Sequence, residues 1–217
     1  MLSPTEENYL KVILALSSKN EQAVHTNAIA AELRIAAATA TDMCKKLAVK
    51  KLVSHEKYKG VLLTKTGYLK ACLIIRKHRL WETFLVEQLK FKWDEVHEIA
   101  EQLEHIDSEE LVNRLELLLG SPKTDPHGDP IPDKNGYLPP SRSMPLAEAA
   151  THDVHVVRGV ADQSSKFLQL LNKLNIGIGS RIRIMEKFDF DQSIAIKVDQ
   201  QKTVHISDQV ARNIIVK

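Results

Sequence analysis

Histidines and carboxylates recur at helical spacing between residues 78 and 105, and side chains of these types can bind metal ions. The first pair is His78 and Glu82, and a second group follows within residues 97–105. Because an α-helix turns once about every 3.6 residues, four positions of that group fall within an arc of roughly 100° on one helix face. These four are His97, Glu101, Glu104 and His105. Nitrogen and oxygen donors without a thiolate suit first-row ions such as Mn²⁺, Fe²⁺, Co²⁺, Ni²⁺ and Zn²⁺, so the pattern predicts a site for one or two divalent metals.

Two other interpretations of this cluster stay open on spacing alone. A helix over residues 95–110 could be a charged face that only contacts water. Histidines and glutamates on facing helices also build catalytic sites, so the cluster could instead belong to a di-metal carboxylate hydrolase or oxidase. The elements that surround the cluster decide between these classes.

The composition is that of a folded chain with several modules. Of the 217 residues, 43% are hydrophobic and 27% are charged, proportions typical of globular proteins rather than disordered ones. No apolar run approaches the roughly 20 residues that cross a bilayer, and residues 1–7 do not resemble a signal peptide, so we expect a cytoplasmic protein. Cys44 and Cys72 stand inside helical patterns without metal-binding spacing, which predicts buried thiols rather than a disulfide.

The net charge of +2 hides a strong separation of charge along the chain. Residues 34–79 contain twelve lysines and arginines and two acidic residues, a net charge of +10. Residues 80–120 contain three basic and eleven acidic residues, a net charge of −8. The first segment therefore has the charge of a surface that binds polyanions such as DNA, and the second has the charge of a region that attracts cations.

The basic segment carries the elements of a winged helix. A capping box formed by Ser3 and Glu6 predicts the start of a first helix, over residues 4–17. Two short helices are then predicted over residues 27–33 and 37–51 with a brief turn between them, an arrangement typical of a helix-turn-helix. Two β-like runs then flank a turn at residues 58–60 and predict a basic hairpin, the wing.

DNA contacts are expected from the second of these short helices, which in such a fold enters the major groove. Hydroxyls can donate to phosphates or bases, alanines can contact thymine methyl groups, and lysines can contact phosphates. The candidates for DNA contact are Thr26, Ala37, Ala38, Thr39, Thr41, Asp42, Lys45, Lys46, Lys50, Tyr58 and Lys59. A winged helix used only for protein docking is the alternative, and the local positive charge argues against it.

The rest of the chain divides into a helical region and a β-rich region. Three further helices are predicted, over residues 66–90, 93–105 and 108–119, and Trp81 and Trp93 are expected in the core of this helical region. Seven of the eight prolines fall in residues 121–145, which indicates a loop. Four short runs of alternating apolar residues after residue 151, interrupted by one helical stretch, fit a small barrel of SH3 type. We therefore predict a mainly α fold with β, with domains over residues 1–70, 71–140 and 141–217.

Five blocks of the sequence carry a resemblance to a known family. They are residues 7–10, 56–60, 76–82, 96–105 and 127–132. In this order they resemble the metal-dependent transcriptional regulators of the diphtheria toxin repressor family, which includes the manganese transport regulators. The resemblance implies an N-terminal winged helix, a helical dimerisation and metal-binding domain, and a C-terminal SH3-like domain of the FeoA type.

The resemblance also implies a primary, regulatory metal site formed by Glu101, Glu104 and His105. The family's first helix adds a methionine or aspartate ligand immediately before a tyrosine, and here Asn8 holds that position. The position of Glu101 is a cysteine in iron-responsive members and a glutamate in manganese-responsive ones, so the resemblance favours Mn²⁺, with Fe²⁺ next. Lys11 stands where some manganese regulators have a glutamate that bridges to the metal, which argues against that binuclear arrangement.

An ancillary metal site is implied as well. Its ligands on the helices are His78, Glu82 and His97. The family's third module can lend further ligands, and the local match offers Asp162 or Gln163. His127 lies in the loop block and could contact a metal, but a structural role is expected.

The function that the resemblance implies is that of a homodimeric, cytoplasmic repressor of metal-uptake genes, activated by Mn²⁺ or Fe²⁺ and without enzymatic activity. Metal would join the first helix to the dimerisation helices and fix the distance between two recognition helices, so that they match palindromic half-sites of an operator. Neither a membrane nor a small-molecule substrate is expected as a partner. Besides the di-metal metalloenzyme, one alternative remains: an interaction module whose SH3-like domain binds a proline-rich segment, such as residues 121–145.

Overall fold

A computed structural model describes residues 2–20, 23–56, 60–139, 143–199 and 202–217. These residues form two compact units that each combine separate stretches of the chain. The first unit contains Met1–His78, Gln102–Glu109 and Pro132–Leu138. The second contains Arg79–Glu101, Glu110–Ile131 and Pro139–Lys217. The division into three domains with boundaries near residues 70 and 140 stays a prediction.

Three helices begin the first unit: α1 (Pro4–Asn20), α2 (Thr26–Glu32) and α3 (Ala37–Val49). The backbone amide of Ser3 donates to the Glu6 carboxylate at 3.0 Å, and the Glu6 amide donates to Ser3 Oγ at 3.3 Å. This reciprocal pair is the capping box that the sequence predicts, and it satisfies amides that the first turn of α1 would otherwise leave without acceptors.

The core of the first unit lies between these helices. Ala40, Cys44 and Leu47 of α3 are fully buried at the spacing of three and four residues that an amphipathic helix requires. Both cysteines are buried thiols, as predicted. Burial raises the pKa of the Cys44 thiol to about 11, so this side chain acts as a small apolar group.

A hairpin completes the helix-turn-helix, as predicted for a wing. Strands β1 (Val53–Glu56) and β2 (Gly60–Leu63) pair antiparallel, and Val24 adds a bridge to Val61. Tyr58 and Lys59, the predicted contacts at the wing tip, lie outside the described residues.

Helix α4 (Lys65–Glu87) follows the wing and passes from the first unit into the second. Near the start of α4, Gly67 packs closely against the backbone of Leu52, the residue before β1. A Cβ at this position would lie 1.9 Å from the carbonyl oxygen of Leu52. A glycine is therefore required where the helix passes the backbone.

Helix α5 (His97–Leu103) is shorter than the predicted helix over residues 93–105, whereas α6 (Glu109–Leu118) agrees closely with its prediction. The amide of Ile106 donates to the carbonyl of Leu103 at 3.1 Å, and this tight turn ends α5. Glu104 and His105 consequently lie in the turn after α5, not within the helix.

The helical part of the second unit has two apolar clusters. The first comprises Leu80, Val112, Leu115 and Ile131, and the second comprises Leu85, Val96 and Ala100. Trp81 packs against both clusters and so belongs to the helical core, as predicted.

The remainder of the second unit is a six-stranded antiparallel sheet with the order β3-β8-β4-β5-β6-β7. The strands are β3 (Met144–Pro145), β4 (Val154–Val160), β5 (Arg181–Lys187), β6 (Ile194–Val198), β7 (Thr203–Ile206) and β8 (Ile214–Val216). Helices α7 (Ser165–Lys173) and α8 (Asp208–Asn213) accompany them. The largest apolar core forms here, with alternate residues of β5, such as Ile182 and Ile184, fully buried. The predicted SH3-like module thus gains two short strands and a helix that periodicity did not reveal.

The proline-rich segment contacts this sheet. The amide of Val160 on β4 donates to the carbonyl of His127 at 3.1 Å, and Gly128 lies so close to Arg158 that a Cβ would meet its carbonyl at 1.9 Å. Trp93 also lies against the sheet module, with its indole nitrogen 2.8 Å from Asn172 Oδ1. The prediction that Trp93 belongs to the helical core is therefore wrong. Among the described residues, no helix is both long and apolar enough to span a membrane.

Candidate metal centre

Glu104 is the centre of a polar cluster in the first unit. Its side chain is fully buried in the turn after α5, and both carboxylate oxygens have close partners. Lys11 Nζ lies 2.6 Å from Oε1 and 2.9 Å from Oε2, while His78 Nδ1 lies 2.6 Å from Oε2. Burial alone would raise the pKa of Glu104, but His78 and Lys11 together hold that pKa below its ordinary value. The carboxylate is therefore ionised and able to bind a cation.

His105 lies beside Glu104 and is oriented by a carboxylate from α1. Its Nδ1 is 2.6 Å from Glu7 Oε2, and its Nε2 is 3.8 Å from Glu104 Oε1. A carboxylate on one ring nitrogen fixes the orientation of a metal-binding histidine and directs the other nitrogen toward the ion. The contact with Glu7 thus leaves His105 Nε2, on the side of Glu104, as the ring nitrogen that could bind a metal.

Asn8, the predicted ligand from the first helix, also fits this arrangement. Its carbonyl oxygen Oδ1 is buried and accepts no hydrogen bond from any described residue. A buried oxygen that accepts no hydrogen bond costs folding free energy, because it has lost its contacts with water. Coordination to a cation would replace those contacts. Glu101, the fourth predicted residue of the primary site, is half-buried on α5, one helical turn before Glu104, and is assigned to the second unit.

The predicted ancillary residues divide between the two units. His78, which ends the first unit, contacts Glu104 as described above. In the second unit, Glu82 follows one turn later on α4 and is almost fully buried. Glu82 Oε1 lies 3.4 Å from Nδ1 of His97, so the structure brings these two predicted ligands together.

Two loop residues, Asp125 and His127, lie close to Glu82 and form a second cluster with it. Ligand atoms of Glu82, Asp125 and His127 all lie within 4.8 Å of one another, and all three residues are buried. Asp125 Oδ2 and His127 Nδ1 make no hydrogen bond among the described residues. Their charged neighbours lie at 3.5 Å: Arg79 Nε for Asp125 Oδ2 and Glu82 Oε2 for His127 Nδ1. Buried nitrogen and oxygen donors that converge in this way can bind a divalent ion, so the residues of this second cluster also fit a metal.

Electrostatics in the second cluster favour a bound cation. Burial, with the charges of Asp129 and Glu82, raises the pKa of Asp125 to about 7, although Arg79 and His127 oppose the shift. The pKa of His127 is raised too: burial lowers it, but the Glu82 carboxylate, whose Oε2 lies 3.5 Å from His127 Nδ1, outweighs that effect. Negative charge is thus crowded in a buried space, where a divalent ion would relieve the repulsion.

Asp162 and Gln163, the predicted ligands from the third module, have other contacts in the structure. Asp162 Oδ1 accepts from the amide of Ser164 at 2.8 Å, at the start of α7. Gln163 Nε2 donates to Asp129 Oδ2 at 3.0 Å. Gln163 therefore reaches the proline-rich loop, while no contact places Asp162 at Glu82 among the described residues.

The residues that sequence reasoning missed had recognisable signals. Asp125 stands two positions before His127 in a block already singled out, and a carboxylate at that spacing is a reasonable ligand. Glu7 immediately precedes Asn8 in the first turn of α1. Neither assignment follows from helical spacing alone, because each depends on which elements meet in space.

The predicted DNA-binding residues lie mainly on one exposed helix end. Ala37, Ala38 and Thr39 open α3 and are exposed, whereas Thr41 Oγ1 donates to the carbonyl of Ala37 at 2.9 Å. Of the other predicted residues, two lysines form ion pairs with acidic side chains, one lysine is exposed, and one threonine begins α2. Lys45 contacts Asp42 at 3.0 Å, Lys50 contacts Glu6 at 2.7 Å, Lys46 is exposed and Thr26 begins α2.

Family comparisons cover nearly the whole chain. Residues 1–61 match "Iron dependent repressor, N-terminal DNA binding domain", residues 64–133 match "Iron dependent repressor, metal binding and dimerisation domain", and residues 144–217 match the FeoA domain. These matches confirm the predicted winged helix, helical dimerisation region and SH3-like module.

Among solved structures, a manganese-dependent transcriptional repressor in complex with manganese is similar with a TM-score of 0.89 and 35% identity, covering 97% of this chain and 98% of that one. The diphtheria toxin repressor of Corynebacterium diphtheriae is 26% identical over 98% of this chain and 96% of its own length. An uncharacterized HTH-type transcriptional regulator of Methanocaldococcus jannaschii is 34% identical over 54% of this chain and 94% of its own length. Other matches are partial: the chain spans 56% of the iron-dependent repressor IdeR of Mycobacterium leprae and 16% of a probable metal transport system membrane protein of Chlamydia trachomatis.

Proposed function

The chain belongs to the family of metal-dependent transcriptional repressors that includes the diphtheria toxin repressor, and we propose that it is a DNA-binding repressor activated by a divalent metal. The observation that carries the proposal is the pairing of Glu104 with His105, whose Nε2 lies 3.8 Å from Glu104 Oε1, in the unit that also contains the helix-turn-helix. The same unit holds the buried carbonyl oxygen of Asn8, which accepts no hydrogen bond from any described residue. A metal cluster in the DNA-binding unit is what a metal-controlled repressor requires.

The primary site would use Glu104, His105 and Asn8, with Glu101 as the fourth ligand. A bound divalent ion would supply the positive charge that balances the two carboxylates among these ligands. Three oxygen donors and one imidazole, without a thiolate, suit Mn²⁺ best and Fe²⁺ next. The manganese complex of a similar repressor supports this order, while Zn²⁺ and Cd²⁺ complexes of another relative, ScaR, show that related proteins accept several metals.

The ancillary site would centre on Glu82. We propose His78, Glu82 and His97 as its ligands, as the family resemblance implies, and add Asp125 and His127 on the strength of their convergence with Glu82. Gln163 has a supporting role through its hydrogen bond to Asp129, and Asp162 is the weakest candidate.

DNA recognition would use the exposed first turn of α3 in the major groove. The small side chains of Ala37, Ala38 and Thr39 allow close approach, and the flanking lysines supply phosphate contacts. The dimerisation-domain match supports a homodimer. We propose that this dimer binds a palindromic operator upstream of metal-uptake genes, in the cytoplasm.

Coupling between metal and DNA would run through α1. Glu7 and Lys11 of this helix contact His105 and Glu104 respectively, and α1 packs on α2 in the same unit. These contacts hold α1 against the turn after α5 and so fix the helix-turn-helix relative to that turn. A fixed orientation favours one spacing of the two recognition helices in a dimer.

The alternative classes are less well supported. A di-metal carboxylate enzyme does not agree with a family of transcriptional repressors. An interaction module that binds proline-rich segments has one observation in its favour, since residues 127 and 128 already contact β4. That contact uses the chain's own loop and is compatible with a repressor.

The test is operator binding at controlled free concentrations of Mn²⁺, Fe²⁺ and Zn²⁺, measured by gel shift on the protein and its Glu104→Ala/His105→Ala variant. We expect metal-stimulated binding in the parent protein, strongest with Mn²⁺, and its loss in the variant. A Glu109→Ala/His152→Ala variant removes an exposed carboxylate and an exposed imidazole and serves as the matched control. Unchanged metal stimulation in the Glu104/His105 variant would refute the assignment of the primary site.

A further inference from the structure

Lys11 and the proposed primary metal depend on the same carboxylate oxygen. The ammonium of Lys11 lies 2.6 Å from Glu104 Oε1, and that oxygen is the one that faces His105 Nε2 at 3.8 Å. We propose that Lys11 is a tethered competitor of the metal: loading of the primary site must displace its ammonium from Glu104, so Lys11 sets the metal concentration at which the site fills. This inference rests on the proposed function, because it takes Glu104 and His105 as ligands.

The two cations would lie close together if an ion bound Glu104 Oε1 while Lys11 kept its present position. A divalent ion bound to Glu104 Oε1 would lie at about 2.0–2.2 Å from that oxygen. Since Lys11 Nζ is 2.6 Å from the same oxygen, ion and ammonium would be within about 5 Å of each other in a buried environment. Two positive charges at that separation repel strongly where little water screens them.

The position of Lys11 on α1 makes the ammonium a fixed part of the cluster. Its side chain is 17% exposed, and it contacts both oxygens of Glu104, whose side chain is fully buried. Glu104 therefore carries a positive partner supplied by the protein itself. Removing that partner leaves a buried carboxylate that needs another cation, which raises its affinity for metal.

A purely structural role for Lys11 predicts the opposite effect. If the ammonium only held Glu104 in the geometry that metal needs, its removal would loosen the carboxylate and weaken metal binding. The sign of the change in metal affinity therefore distinguishes a competitor from a positioning residue.

The experiment measures Mn²⁺ binding to the full chain from the electron paramagnetic resonance signal of free aqueous Mn²⁺. Lys11→Gln removes the charge but keeps a hydrogen-bond donor for Glu104, Lys11→Met removes both, and Lys11→Arg keeps the charge. We expect Lys11→Gln and Lys11→Met to bind Mn²⁺ about 10-fold more tightly or better, the effect typical of a hydrogen bond to a charged group. Lys11→Arg should change affinity least, and Lys70→Met, at an exposed lysine of the same unit, should leave affinity unchanged.

A second measurement guards against a folding defect. In chelator, the thermal midpoint of Lys11→Gln should fall relative to the parent protein, because Glu104 loses its cationic partner. With saturating Mn²⁺ the difference should shrink. Lower stability without metal combined with tighter metal binding is a signature that a misfolded variant does not produce.

The outcomes separate this inference from the proposed function. If Lys11→Gln binds Mn²⁺ equally or more weakly while Glu104→Ala/His105→Ala loses binding, the competitor role is wrong and the primary site stands. If Glu104→Ala/His105→Ala retains full Mn²⁺ binding, the primary site itself is wrong. Combining Lys11→Gln with Glu104→Gln adds a further check, because the effect of Lys11 should vanish once the carboxylate is gone.

Discussion

Replacing Asp125 by asparagine should make the second unit less sensitive to alkaline pH. Asp125 Oδ1 accepts hydrogen bonds from the amides of His127 at 2.8 Å and Asp129 at 3.0 Å, and an asparagine carbonyl can accept both. The substitution therefore preserves these two hydrogen bonds while it replaces the charged Oδ2, which lies 3.5 Å from Arg79 Nε, with an amide donor. Removing one negative charge from this buried cluster relieves repulsion with Glu82 and Asp129.

The size of the effect follows from the pKa of Asp125. Burial and the charges of Asp129 and Glu82 raise that pKa from 3.8 to about 7 in the folded protein. A carboxyl whose folded pKa is raised contributes stability that is present below pH 3.8 and is lost as pH rises to about 7. The full loss is about 4 kcal/mol at about 1.4 kcal/mol per pH unit, and about 2.5 kcal/mol of it falls between pH 5 and pH 8.

The assay is urea unfolding followed by tryptophan fluorescence at pH 5 and pH 8 in the presence of a chelator. Trp81 and Trp93 both belong to the second unit, and the Trp93 ring stacks on His127 with centroids 6.0 Å apart, so the signal reports on this loop. The parent protein should lose more stability than Asp125→Asn on going from pH 5 to pH 8. An Asp107→Asn variant, at an exposed aspartate, should behave like the parent. Equal losses in parent and Asp125→Asn would refute the argument that Asp125 titrates within this buried cluster.

Two further substitutions test the site and the fold. Glu7→Gln should weaken Mn²⁺ binding by about 10-fold or more, because His105 loses the carboxylate that orients it; an unchanged binding isotherm would show that this contact does not matter. Gly67→Ala should lower stability by about 1–3 kcal/mol, measured as a fall in the urea midpoint, because its Cβ would lie 1.9 Å from the carbonyl of Leu52. Gly177→Ala, where a Cβ meets nothing within 4 Å, is the matched control, and similar midpoints for both variants would contradict the steric argument.

Local patterns in the sequence were sufficient to predict the helix-turn-helix. The spacing of Ala40, Cys44 and Leu47 gives α3 its buried face. The reciprocal hydrogen bonds of Ser3 and Glu6 confirm the predicted start of α1, which depends on residues 3–6 alone. Such features depend on neighbours within one turn, which a sequence displays directly.

Features that depend on which elements meet in space were missed. Trp93 is predicted in the helical core, yet it packs against the sheet module and its indole nitrogen donates a hydrogen bond to Asn172. Asp125 reaches Glu82 only because the loop returns to α4, and no periodicity records that return. Likewise, the predicted helix over residues 93–105 counted Glu104 and His105 as helical, whereas the turn after Leu103 carries them.

Consecutive residues of α1 connect His105, a proposed metal ligand, to α3. Glu7 contacts His105 at 2.6 Å, and its neighbour Glu6 contacts Lys50, the residue that follows α3, at 2.7 Å. Hydrogen bonds and the nearby charge of Lys50 lower the pKa of Glu6, so both partners of this second contact are charged. Because Glu6 and Glu7 share one helical turn, a displacement of α1 that changes the contact with His105 must also change the contact with Lys50. Lys50 is in turn a candidate for phosphate contact, so the first turn of α1 joins the two activities through charged contacts within a single unit.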